Sequence, residues 1–364
     1  MTVDYNKKTG IPIVFITDNN YVLPTGVAIT SLVLNKKPET VYQIYVIVTE
    51  NVTAENKTRL INCGGIKAQV KLIERDASIL NEFTVPGHYV PPCDLLKFNI
   101  PGLLPQYDKI LYLDGDILVK GDLSELYCND VSGAYLGAVS DMPAVVVYGF
   151  LERLGIAHYF NAGVMLLNSA RMRQEGFEEK LYHIKKQNPD YVCMDQDVFN
   201  IAVQDKVIFF PVKYNVMLYN LLYPACGGIT KINEYFGTSY ESFNALLKDA
   251  VIVHLTNDFK PWKYKDVVMH KEWMSYFKKS PFHKQKLSLA NSINKESINI
   301  KAKRIIKKIL KNLPVIKQIN RRYSAIRENL DKNSQMLERL EQLNQNIYNE
   351  INIIKVNIRK MEHK

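Results

Sequence analysis

Asp114 and Asp116 stand one residue apart behind the apolar run ILYL, in the segment KILYLDGDILVKGDLSEL at 109–126. Two acids at i and i+2 on a strand project to one face, so both can ligate one divalent ion. That ion can also bind a nucleotide diphosphate and neutralise its charge as it departs, which is metal-assisted transfer. An imidazole nearby would suit manganese, which accepts mixed oxygen and nitrogen donors. His254, closing the run AVIVH, is the candidate. The same stretch also has acids at positions one, three, nine and twelve of a calcium-binding loop. Leu118 at position five, and Val119 where that loop requires glycine, exclude this chemistry.

Holding such a pair in place calls for a rigid frame. Strand-like runs alternate with stretches of helical pattern: IPIVFITD then 24–35, YQIYVIV then 53–62, KAQVKLIE, and 94–104 followed by KILYLD. This alternation predicts an α/β fold with a mostly parallel central sheet and helices on both faces. Further buried strands are expected at YLGAVS, AGVMLLN, VIFF and AVIVH. Ligands of such sheets bind beyond the carboxyl ends of the strands. Asp18, Asp114, Asp141 and His254 each terminate an apolar run, so the pattern predicts their convergence along one sheet edge.

With 364 residues, 47% of them hydrophobic, the chain is long enough for one large or two small domains, and disorder throughout is excluded. The formal net charge is +10. Lysine and arginine are dense from Lys278 onward, so much of the excess sits in the tail and a nucleic-acid partner is not expected. No apolar run approaches the roughly 20 residues that cross a bilayer, and the first residues do not resemble a secretory signal. The expected location is cytoplasmic. Five scattered cysteines without C-x-x-C spacing read as reduced, buried thiols.

Several motifs in order carry a more specific reading: FITDNNY (15–21), YDKILYLDGDILVKGDL (107–123), SDMP (140–143), YFNAGVMLLN (159–168), DQDVFN (195–200) and HLTNDFKPW (254–262). In these the chain resembles glycosyltransferase family 8, retaining enzymes that include bacterial lipopolysaccharide galactosyl- and glucosyltransferases and glycogenin. The similarity runs from about Ile11 to Trp273. It implies a nucleotide-diphosphosugar transferase (GT-A type) fold, a UDP-hexose donor, Mn2+ with Mg2+ as substitute, and a carbohydrate or glycolipid acceptor. By the same resemblance Asp114, Asp116 and His254 are the metal ligands, and Ile16, Asp18, Asn20 and Tyr21 hold uracil and ribose. Lys260 grips the diphosphate, and Gly115 lies in the donor site. Asp141, Asn161, Asp195 and Gln196 wall the donor sugar, with Asp141, Asp195 and Gln196 as catalytic candidates.

Gln196 matches the far-face position from which a nucleophile would attack, and an amide is a poor nucleophile. Same-face substitution, with a donor phosphate oxygen taking the acceptor proton, is therefore expected. Two positions depart from the family pattern. Lys97 replaces the usual arginine and gives up bidentate contact, and Asn257 replaces the usual glycine before K-P-W. Acceptor contacts are expected in the loops 145–158 and 214–242. The alternatives are a degenerate donor-binding scaffold and a metal-dependent phosphatase, with Asp114 as nucleophile and MDQDVF (194–199) supplying further acids.

The domain reading is 1–282 catalytic, 283–322 a basic helical linker suited to an anionic membrane surface, and 323–364 a coiled coil. In the last, Ile326, Leu330, Asn333, Leu337, Leu340, Asn344, Ile347, Ile351, Ile354 and Ile358 follow alternating steps of four and three. A homo-oligomer, peripheral to the inner face of the cell membrane, is the expectation.

Overall fold

The computed structural model describes residues 10–83, 92–147, 149–189, 191, 193–218, 227–256 and 259–291. The chain divides into compact units Met1–Ala290 and Asn291–Lys364. The coiled-coil reading, the linker reading beyond residue 291, and Asn257 lie outside the described residues, while 283–290 belong to the first unit.

The first unit is built on a sheet of seven strands in the order β3-β2-β1-β4-β7-β6-β8. These are β1 (Ile11–Thr17), β2 (Tyr42–Thr49), β3 (Gln69–Arg75), β4 (Ile110–Leu113), β6 (Leu136–Ser140), β7 (Phe160–Leu167) and β8 (Val207–Phe209). Every pair is parallel except β4–β7 and β7–β6, so the sheet is mostly parallel, as the alternating pattern predicts. Both β1 and β7 are buried along their whole length, which fits their unbroken apolar character: layers cover both faces. One core lies on each face, with Val22–Leu34 in the first and the buried side of Phe177–Gln187 in the second.

A second sheet of three strands has the order β5-β10-β9, from β5 (Ile117–Val119), β9 (Val216–Met217) and β10 (Ile252–His254). The helix Val22–Leu34 is nearly all buried. Ser31 Oγ accepts from the Val119 N–H at 3.0 Å, tying that helix to β5 just after the paired aspartates. Gly26 of the same helix admits Phe282: a Cβ there would lie 2.2 Å from the Phe282 ring.

Four expectations need correction. Asp114 and Asp116 do not share a strand; they flank Gly115 in the turn joining β4 to β5, so turn geometry and not strand alternation brings them together. The run at 207–210 is an edge strand, with Ile208 38% and Phe209 40% exposed, because only β6 pairs with it. The helical stretch before β4 is a 3₁₀ segment, Pro92–Asn99, followed by the short helix Ile100–Leu103. Pro101 has no N–H to bond back to Lys97, so a continuous α-helix is interrupted there. Cys63 and Cys93 are buried, but Cys128, on the open side at the end of Ser124–Cys128, is exposed. Among the described residues no helix is long and apolar enough to cross a membrane.

Candidate active site

The turn between β4 and β5 is fixed from three sides. The Asp114 N–H donates to the Gly163 carbonyl at 2.8 Å, and the Leu255 N–H donates to the Asp116 carbonyl at 2.9 Å. These bonds bring the middle of β7 and the end of β10 to the same turn. From the third side, Thr25 packs so closely that a Cβ on Gly115 would sit 2.3 Å from its Oγ1. Glycine between the two acids is thus a steric requirement.

His254 enters from β10 and is 4% exposed. Its Nε2 lies 3.1 Å from Asp116 Oδ1 and 3.6 Å from Asp114 Oδ2. The other oxygen of each carboxylate is engaged elsewhere. Asp114 Oδ1 accepts from the Tyr112 hydroxyl at 2.6 Å and pairs with Lys97 Nζ at 3.1 Å. Asp116 Oδ2 accepts from Lys260 Nζ at 2.7 Å and from the Tyr21 hydroxyl at 3.2 Å. One oxygen per acid therefore faces the imidazole while its partner is held from behind, which is how outer groups orient metal ligands.

These residues fit a divalent ion. The three ligand atoms lie within 4.8 Å of one another, and adjacent ligands on an octahedral ion with bonds of about 2.1 Å are roughly 3 Å apart. Two hard carboxylate oxygens and one imidazole nitrogen suit manganese or magnesium better than a thiophilic ion.

Two lysines offset part of the negative charge in the site. Burial alone would raise the pKa of Asp116, but Lys260 and then His254 outweigh it and hold the carboxyl well below its ordinary range. Burial would likewise discharge Lys97, yet Asp114 and Asp195 outweigh it and keep the ammonium charged. Lys97 is 4% exposed, donates to Asp195 Oδ2 at 2.7 Å and lies over the Tyr112 ring. It thereby connects the β4–β5 turn to the Met194–Val203 helix.

That helix supplies the opposite wall. Gln196 Oε1 accepts from the Ala162 N–H and from Asn161 Nδ2, each at 3.0 Å. Its Nε2 donates to Asp141 Oδ2 at 3.3 Å and to the Tyr159 hydroxyl at 3.1 Å. Asp141 also caps the helix Met142–Val146, accepting from the Ala144 N–H. Met194, just before Asp195, is buried with a φ of 23°. A non-glycine residue in that region stores about 1–3 kcal/mol, strain of the kind that collects at functional sites.

At the other end Asp18 accepts from the Tyr21 N–H at 2.8 Å and from Asn20 Nδ2 at 3.2 Å. Tyr21 reaches from there to Asp116, with Trp262 edge-on to its ring at 5.8 Å between centroids. The Ile16 side chain is buried in the core, so only its main chain could reach a ligand. The loops expected to meet an acceptor both line a cavity of about 480 Å³ that includes Ser140, Leu151, His158, Tyr159, Phe210 and Tyr235. The first residues of the second loop differ from that expectation: Tyr214 and Asn215 are buried structural positions ahead of β9.

The acids of MDQDVF do not join Asp114 as the phosphatase alternative requires. Asp195 pairs with Lys97, while Asp197 is buried against Arg153 Nη2 at 2.9 Å and the Tyr159 hydroxyl at 2.5 Å. Successive odd positions on a helix are about 200° apart, so the two acids face different surroundings. Sequence reasoning missed Asn215, Tyr112 and Tyr159. Tyr112, two residues before Asp114 in the same apolar run, and Tyr159, which opens the motif YFNAGVMLLN, carried usable signals; Asn215 carried none.

Residues 12–266 match the model of the family described as glycosyl transferase family 8. The chain is 27% identical over 276 residues to the lipopolysaccharide 1,2-glucosyltransferase of Escherichia coli (strain K12), covering 71% of this chain and 74% of that protein. It is 25% identical over 278 residues to general stress protein A of Bacillus subtilis (strain 168), covering 73% and 93% respectively. Among solved structures, the galactosyltransferase LgtC in complex with donor and acceptor sugar analogs aligns with a TM-score of 0.62. The identity is 21%, and the alignment covers 79% of this chain and 99% of that one, a likeness of fold. With the family pattern extending over most of its length, the chain belongs to glycosyl transferase family 8.

Proposed function

We propose that the chain is a retaining hexosyltransferase that moves galactose or glucose from a UDP-hexose to a hydroxyl of a glycan or glycolipid. The observation that carries this reading is the convergence of Asp114, Asp116 and His254, from two separate segments, beside a charged Lys97 and opposite the Asp141–Asn161–Gln196 wall. A bound Mn2+, or Mg2+ in its place, would neutralise charge on the departing diphosphate. Lys260, 2.7 Å from Asp116, adds a second positive charge on the same side, where a point charge suffices. Asp18 accepts the uracil N–H and Tyr21 covers the base. Asp141, Asn161 and the Lys97–Asp195 pair bind sugar hydroxyls.

The bonding of Gln196 supports same-face substitution. Its carbonyl oxygen already accepts two N–H groups, which draws off the electron density a nucleophile would need. In the proposed step the acceptor oxygen bonds to the anomeric carbon on the face that UDP leaves. The glycosidic C–O bond to phosphate breaks, and the acceptor proton passes to a phosphate oxygen. The aromatic cavity beside Asp141 is the proposed acceptor side, since sugar rings stack on such surfaces.

The test is a screen of UDP-hexoses with Mn2+ and glycan acceptors, read by UDP release. One donor turning over, and stopping with a chelator, is the expected result. UDP binding without turnover of any donor would leave the scaffold reading instead; neither binding nor hydrolysis would overturn the proposal.

A further inference from the structure

One buried side chain bridges the two halves of this site. Asn215 is 0% exposed and sits between the turn Val212–Tyr214 and β9. Its Nδ2 lies 2.9 Å from Asn161 Oδ1, and its Oδ1 lies 3.1 Å from His254 Nδ1. A side-chain amide can be turned end for end, so its orientation has to follow from its partners.

Here the partners determine it. The Gly163 main-chain N–H can only donate, and it reaches Asn161 at 3.0 Å, so the atom it meets is the oxygen. Independently, the Ala162 N–H orients Gln196, whose oxygen then requires the Asn161 nitrogen on its side. Both constraints place the Asn161 oxygen toward Asn215. The Asn215 atom facing it must therefore be the donor, Nδ2, which leaves Oδ1 toward His254. An oxygen accepts, so His254 Nδ1 carries the hydrogen, and Nε2, the nitrogen that faces Asp114 and Asp116, is the one that would offer its lone pair to a cation lying between the ring and those acids.

We infer that Asn215 is a positioning residue for the metal site, holding His254 with Nδ1 protonated and Nε2 open to a divalent cation. The inference rests on the reading of Asp114, Asp116 and His254 as ion ligands. Its orientation originates in a main-chain N–H and passes through Asn161, so a residue of the sugar wall also governs metal affinity. Gly163 serves twice: it donates this hydrogen bond, and its missing side chain makes room for the ring, since a Cβ would lie 2.2 Å from His254 Cε1.

The experiment is a titration of the full chain with Mn2+ alone, following the free-ion signal by electron paramagnetic resonance. Wild type is expected to bind; if it does not, the ligand reading and this inference both fall. Asn215→Leu removes the acceptor and is expected to weaken Mn2+ about 10–100-fold, the usual effect of losing a ligand's outer partner. Asn215→Asp retains an acceptor toward Nδ1 but sets its second oxygen against Asn161 Oδ1, so it is expected to recover part of that loss. With wild type binding, an unchanged Asn215→Leu, or equal loss in both variants, overturns the inference while leaving the ligand reading intact. Should Asn215→Leu not fold, ¹⁵N-histidine spectra of wild type loaded with diamagnetic Cd2+ decide. A slowly exchanging Nδ1 proton on His254 is expected; a freely exchanging one, or Cd2+ on Nδ1, contradicts it.

Discussion

Lys97 shows how one residue ties the chemistry together. Its ammonium is shared by Asp114 and Asp195 at 3.1 and 2.7 Å in a site almost closed to water. Removing one member of a buried ionic group costs about 3–5 kcal/mol, because the remaining charges lose their partner. Lys97→Met is therefore expected to lower the melting temperature of the metal-free protein by several degrees and to abolish sugar transfer; calorimetry and UDP release check both. Asp116 gives a prediction in pH. Its folded-state pKa is depressed, so it contributes stability above the unfolded value of about 4 and loses that contribution as pH falls further. Between pH 5 and pH 2 the metal-free wild type should lose melting temperature more steeply than Asp116→Asn. Parallel curves would show that Asp116 does not carry this acid sensitivity.

At the scale of elements, the helix Val22–Leu34 and the β4–β5 turn fit together through absent atoms. Gly115→Ala is expected to reduce Mn2+ affinity at least tenfold, because its Cβ would lie 2.3 Å from Thr25 Oγ1. Replacing Thr25 with alanine in the same chain removes that oxygen and should restore most of the affinity. No recovery would place the fault elsewhere. What sequence could show follows from the same geometry. The apolar runs of β1, β2, β4 and β7 were legible because fully buried strands must be apolar throughout, and polar residues at their ends marked the ligand edge. The antiparallel insertion of β7 between β4 and β6 was not legible, since strand direction leaves no trace in a fully apolar run. Nor was the turn at Gly115, whose need for glycine arises from Thr25, ninety residues away in sequence. Asn215 sat in a stretch that read as a variable loop; its role depends on two partners that only folding brings near.

Over the whole molecule, the catalytic edge is braced by the last segment described. Phe282 is fully buried against Gly26, under Arg59. Eight residues on, the Ala290 N–H donates to the Lys263 carbonyl at 2.8 Å, and its own carbonyl accepts from the Lys265 N–H at 3.1 Å. Trp262 packs on Trp273, which stacks on Phe277, so the segment bearing Lys260 is held from both sides. Phe282→Ala is expected to cost about 3–5 kcal/mol of stability and, by loosening that brace, to weaken UDP binding more than Mn2+ binding. Calorimetric titration with each ligand distinguishes this from a general loss of fold, which would weaken both alike.

Asp114, Asp116 and His254 converge on a single ion position. Diffraction from crystals grown with Mn2+ and UDP, recorded at the manganese absorption edge, tests it most directly. One anomalous peak within about 2.0–2.4 Å of Asp114 and Asp116 carboxylate oxygens and of His254 Nε2 is the predicted result. UDP bound with no peak between those residues, or a peak ligated by others, would contradict it.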